Sequence, residues 1–126
     1  MSTHITVTTG IYDAIKEVIR TRKVSIPEIN RLTAELKDAQ QLLRRDLPAD
    51  TVTVNRVVKI KDHTENEEKE YIFVPSPRAN LKKNKYSILS DIALATVGYK
   101  VGDIIEWPFK DGDKKIEILE VSVFEA

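Results

Sequence analysis

The sequence predicts an α+β protein: a short N-terminal antiparallel helical hairpin, then an antiparallel sheet with one helix packed across it. Two observations carry this. The hydrophobic period is helical before Leu47-Pro48-Ala49-Asp50 and mostly two after it. The chain has 126 residues, the size of one compact domain or of a small domain with an appendage. The expected division is a hairpin over 1–47 and a sheet domain over 48–126.

Ile11, Ile15, Val18 and Ile19 share one helical face behind Gly10, which predicts a first helix at about 11–22. Ser25 and Glu28 have the spacing of a capping box, and Pro27 suits an early helical position. A second helix is expected over about 26–45. Its apolar positions Ile29, Leu32, Leu36, Ala39 and Leu43 step by 3 and 4, the seam of a coiled coil. The two helices would be about 18 and 28 Å long. Joined by a short turn they make a hairpin too thin to fold alone, so it must pack on the sheet, self-associate or be held by a partner.

Val52, Val54, Val58 and Ile60 alternate as a strand, with Arg56 the exception. Residues 62–70 form an acidic turn, and Tyr71 to Val74 a strand stopped by Pro75 and Pro77. Residues 78–85 form a loop with four basic side chains and no acids. Tyr86 to Ile88 is a candidate edge strand. Ser90 is placed as the N-cap of a helix at about 91–97, with Asp91 favourable to its dipole and Gly98 as a left-handed stop. Ile104 to Phe109 reads as an edge or bulged strand because it contains Pro108. After an Asp111-Gly112-Asp113 turn, the apolar series shifts from Ile116 and Ile118 to Leu119, Val121 and Val123. That shift predicts a β-bulge near Ile118–Leu119.

Composition narrows function. There is no cysteine, which removes disulfides, thiol catalysis and cysteine-based metal centres. The only histidines are His4 and His63, so a His-rich metal site is not expected. Net charge is zero, so no global field favours nucleic acid or an anionic membrane. No apolar run suits a bilayer span, and Met1 to Thr9 lacks the pattern of a secretory signal; a cytoplasmic location is expected. No Ser/His/Asp or paired-carboxylate constellation, phosphate-binding glycine loop or cofactor motif is found, so no catalytic residue, metal or cofactor is expected.

The stretch from Tyr86 to Asp103, YSILSDIALATVGYKVGD, resembles the most characteristic segment of the Gre (GreA/GreB) transcript-cleavage factor family. There an I-S-I strand leads into S-P-L-A-x-A-L-I-G and then K-x-V-G-D. The order of the flanking strands agrees, and the resemblance covers about 47–124. Within the family the chain is most similar to the branch of regulators of nucleoside diphosphate kinase, the Rnk branch. The features are a shorter hairpin, the Leu47-Pro48-x-Asp50-x-Val52-Thr53-x-Asn55 junction and Val101-Gly102-Asp103-x-x-x-Trp107.

The resemblance implies an FKBP-like C-terminal domain and an N-terminal coiled coil. It also implies binding to bacterial RNA polymerase at its secondary channel, with the C-terminal domain on the rim and the hairpin pointing inward. The rim contact would fall on Ser90, Asp91 and Ile92, where Asp91 replaces the family's proline. Cleavage factors carry acids at the hairpin tip that help hold a catalytic magnesium ion. The tip here carries Arg20, Arg22 and Lys23, with Glu28 serving as a cap partner. Occlusion of the channel and competition with cleavage factors are therefore expected, without stimulation of cleavage and without enzymatic activity of its own. A monomer without membrane contact, and weak or absent nucleic-acid binding, are expected too. The alternatives are an FKBP-like peptidyl-prolyl isomerase, which needs a concave aromatic pocket, and a nucleic-acid-binding module, which needs a continuous basic stripe.

Overall fold

The computed structural model describes residues 4–124; Met1 to Thr3, the start of the Met1–Thr9 stretch, and residues 125–126 lie outside the described residues. The first element is a strand that the sequence pattern had not indicated. Ile5 and Val7 alternate inward, and β1 (Thr6–Thr8) pairs in parallel with β2 (Gln40–Leu42). Parallel neighbours need a crossover. It is supplied by the helical hairpin, α1 (Thr9–Arg20) and α2 (Ile26–Lys37).

α1 begins two residues earlier than expected, because the Thr8 hydroxyl accepts a hydrogen bond from Ile11 N at 3.3 Å and caps the helix. Ile11, Ile15 and Val18 are buried. α2 starts at the expected capping box, with Ser25 and Glu28 bonded reciprocally. Its expected end near residue 45 is wrong: the helix stops at Lys37. Gln40 N instead donates to Ile5 O at 2.9 Å, so pairing with β1 overrides continuation of the helix. Of the expected seam, Leu32 and Leu36 are buried, Ile29 and Ala39 are half-buried, and Leu43 lies outside the helix and is 59% exposed.

The main sheet has the order β5-β4-β3-β7-β6, formed by β3 (Arg56–Asp62), β4 (Glu67–Val74), β5 (Lys85–Ser87), β6 (Ile104–Phe109) and β7 (Gly112–Val123). The expectation of a wholly antiparallel sheet fails at one edge, where β5 runs parallel to β4. Two 3₁₀ turns, 76–78 and 81–83, carry the chain back before β5, and Asn84 at φ 60° closes the second. The acidic turn is shorter than expected because both strands extend into it. Asp62 is buried there, and its Oδ1 accepts from the backbone N–H groups of Thr64 and Glu65. Pro108 lies on the edge strand, as expected. The bulge lies where the apolar register shifts: Lys59 faces Glu120 and Ile60 faces Ile118, leaving Leu119 unpaired.

α3 (Asp91–Thr96) is followed by Gly98 at φ 87°. A Cβ on Gly98 would lie 2.6 Å from Ile5 Cβ, so this glycine also admits β1, whose Thr6 N donates to Gly98 O at 3.0 Å. Hairpin, α3 and sheet share one hydrophobic core, including Ile15, Leu32, Val58, Phe73, Leu94, Ile105, Trp107 and Ile118. Among the described residues no helix is long and apolar enough to cross a membrane.

Candidate functional site

Alternation along the strands builds a groove on the core-facing side of the sheet. Ile60 and Asp62 of β3, Lys69 and Tyr71 of β4, Tyr86 of β5, Phe109 of β6, and Lys114 and Ile116 of β7 line it. The first residues of α3 close one end, so the expected contact residues Ser90, Asp91 and Ile92 are brought together in its wall. The space is about 300 Å³.

The floor is aromatic. Tyr71 stacks near Phe73 at 5.9 Å between centroids and meets Tyr86 edge-on at 4.9 Å. Burial pushes the Tyr71 phenol upward, and Tyr86 adds to the shift. The Lys114 ammonium lies 3.4 Å from Glu65 and 4.0 Å from Asp62, and sits 5.9 Å from the Phe109 ring centre. The groove therefore joins an apolar floor to a charged wall.

Ser90 departs from its expected role. Its backbone holds the N-cap geometry, φ −66° and ψ 160°, but its hydroxyl makes no cap bond. Its Oγ is buried and lacks a hydrogen-bond partner. Such an atom costs roughly 1–3 kcal/mol when left dry. Beside it Asp91 is exposed. Polar capacity is thus concentrated where α3 begins.

The hairpin tip lies apart from this groove. Arg20 pairs with Glu17 through a two-nitrogen contact, which raises the guanidinium's pKa and lowers that of the carboxyl. Arg22, at φ 53°, and Lys23 are exposed. Glu28 is 0% exposed; its Oε1 accepts from Ser25 Oγ at 2.9 Å and its Oε2 from Trp107 Nε1 at 3.1 Å. Among the described residues, no three or more acids or histidines gather into a metal-binding group. His63 contacts Glu117 at 2.7 Å on the surface.

The aromatic floor was missed as a site, although the period-two spacing of Lys69 with Tyr71 and of Lys114 with Ile116 was available. Which strands would lie side by side was not, because β5 reaches β4 only through its parallel return.

The family model described as transcription elongation factor GreA/GreB, C-terminal, matches residues 47–123. A transcription elongation factor GreA of Clostridium botulinum is 44% identical over 94 residues, 75% of this chain and 59% of the relative. One from Clostridium beijerinckii is 40% identical over the same shares. The matched region thus spans somewhat over half the length of these relatives. A solved GreA/GreB elongation factor from Nitrosomonas europaea superposes with a TM-score of 0.68 at 27% identity, covering 96% of this chain and 99% of that one. Gfh1 of Thermus aquaticus, at 15% identity and a TM-score of 0.52, shares the fold.

Proposed function

The chain belongs to the GreA/GreB transcription elongation factor family, and we propose that it binds bacterial RNA polymerase at the entrance of the secondary channel. There it acts by occlusion and by competition with cleavage factors, without stimulating transcript cleavage. On this reading residues 48–126 act as an FKBP-like docking domain, residues 1–47 as a short coiled-coil hairpin directed into the channel, and the chain works as a monomer of the Rnk branch.

One observation carries the docking surface: the buried, unpartnered Ser90 hydroxyl in the groove wall, next to exposed Asp91. A partner inserting a side chain there covers the aromatic floor and meets Asp91, and a turn of the Ser90 rotamer toward the groove lets the hydroxyl bond to it. The tip supports the absence of cleavage stimulation. Magnesium needs hard oxygen ligands. Arg20, Arg22 and Lys23 offer none, and the Glu28 carboxylate is occupied by Ser25 and Trp107. Two helices of 12 residues reach only about 18 Å. The relatives are named elongation factors, which lends the isomerase and nucleic-acid readings no support.

The test is a titration against core RNA polymerase with a cleavage factor as competitor, beside a transcript-cleavage assay. Displaceable binding, weakened about tenfold or more by Asp91→Arg, with no cleavage above polymerase alone, is expected. No binding at micromolar protein overturns the docking reading; stimulated cleavage overturns the occlusion mechanism.

A further inference from the structure

A second concavity lies outside the docking groove and has a different chemistry. It measures about 660 Å³, and Arg44, Arg45, Arg56 and Arg78 line it with Val54, Val123 and Phe124. Four of the chain's seven arginines therefore converge from three distant segments: the 3₁₀ turn over 44–46, the start of β3 and the end of the turn over 76–78.

None of these four makes an ion pair among the described residues, whereas Arg20 and Arg31 both do. The described lining contains no acid. Arg56 is held in place, its Nη1 donating to Pro48 O at 2.8 Å and Thr51 O at 2.7 Å. Its pKa is lowered by burial first and by the nearby Arg44 second, with Asp50 opposing. Crowded guanidiniums that no described acid pairs with directly favour an anion. Their planar forks match phosphate oxygens in a bidentate way.

The rest of the lining joins the polar Thr53 and Asn55 to Val54, Val123 and Phe124, with Val123 59% exposed and the Phe124 ring beside it. The size is that of a small-molecule site. A neutral chain whose arginines gather in one dent suits a compact polyanion better than a nucleic-acid strand, which needs an extended basic track. We propose that this groove binds a nucleoside polyphosphate, its phosphates held by Arg44, Arg45, Arg56 and Arg78 and its base resting against Phe124 and Val123.

Calorimetric titration of the full chain with ATP and with GTP, in magnesium-free buffer and without polymerase, tests this independently of the docking reading. Binding with a Kd on the order of 10–100 µM is expected for at least one of them. Arg44→Ala and Arg78→Ala should each weaken it about tenfold, while Lys82→Ala and Lys83→Ala leave it unchanged. Phe124→Leu should weaken the nucleotide but not inorganic triphosphate. Thermal midpoints near that of the parent chain show that the variants are folded. Three results overturn the proposal: no binding at millimolar nucleotide, inorganic triphosphate binding as tightly as the nucleotide, or a single-stranded oligonucleotide binding more tightly as its length grows.

Discussion

Three positions show how single residues divide structural from binding roles. The buried Ser90 hydroxyl has no hydrogen-bond partner among the described residues, so Ser90→Ala should leave the thermal midpoint unchanged or slightly raised while weakening polymerase binding. A drop in stability would mean that the hydroxyl is already satisfied. Glu28 is the opposite case, since its carboxylate closes the capping box and also accepts from the buried Trp107. Glu28→Ala should cost about 2–4 kcal/mol in denaturant unfolding, from the lost cap and the orphaned indole N–H. Glu28→Gln keeps a single acceptor oxygen, enough for the cap or for the indole N–H but not both, and should cost less than the alanine. Gly98 combines a left-handed backbone with a contact that leaves no room for a methyl group. Gly98→Ala should therefore destabilise by roughly 2–4 kcal/mol, more than the loss of backbone freedom alone.

At the scale of elements, α2 is the tether between hairpin and sheet. Arg31 donates to Glu106 O at 2.7 Å and lies 5.6 Å from the Trp107 ring centre, while Glu35 accepts from the Tyr99 hydroxyl. Burial is the main cause that raises Glu35 to about 7, against the bond from Tyr99 and the charge of Arg31. Burial and Glu35 together push the Tyr99 phenol upward. An acid whose folded pKa exceeds its unfolded one keeps its proton longer when folded. Its effect is a loss of stability as pH rises from about 4.5 to about 7, with a plateau above. Glu35→Gln should remove that slope, matching the parent chain near pH 4.5 and exceeding it by about 1–3 kcal/mol at pH 8. Parallel unfolding curves at both pH values check this; an unchanged slope would show that Glu35 titrates normally. The same element explains the misplaced helix end. The seam pattern continues to Leu43, but the stronger claim on residues 40–42 is the open edge of β1.

At the scale of the whole molecule, the hairpin and the sheet cannot be treated as separate folding units. Trp107, the only tryptophan, is 0% exposed and covered in part by α2. A fragment starting at residue 48 should unfold at lower denaturant than the full chain and show red-shifted tryptophan emission. Equal stability would show that the 48–126 region holds its core without the hairpin. This coupling also bears on docking. Glu28, Arg31 and Glu35 fasten α2 to residues 99–107, so on the proposed reading the basic tip and the α3 groove are carried by one shared core.

What the sequence alone determined was local. Capping at Ser25 and Glu28, the turn at Gly98, the edge position of Pro108 and the bulge at Leu119 follow from backbone sterics and side-chain period, which need no distant partner. The family segment from Tyr86 to Asp103 was likewise legible. Only the tertiary structure decided the rest: the β1–β2 pair, the true end of α2, the parallel return of β5, the empty hydroxyl of Ser90 and the meeting of four arginines. Each depends on which segments become neighbours across tens of residues. Backbone groups at an open strand edge accept any sequence that reaches them, so three-residue strands leave little trace in the pattern. A side chain's unmet hydrogen bond or uncompensated charge exists only once its neighbours are in place.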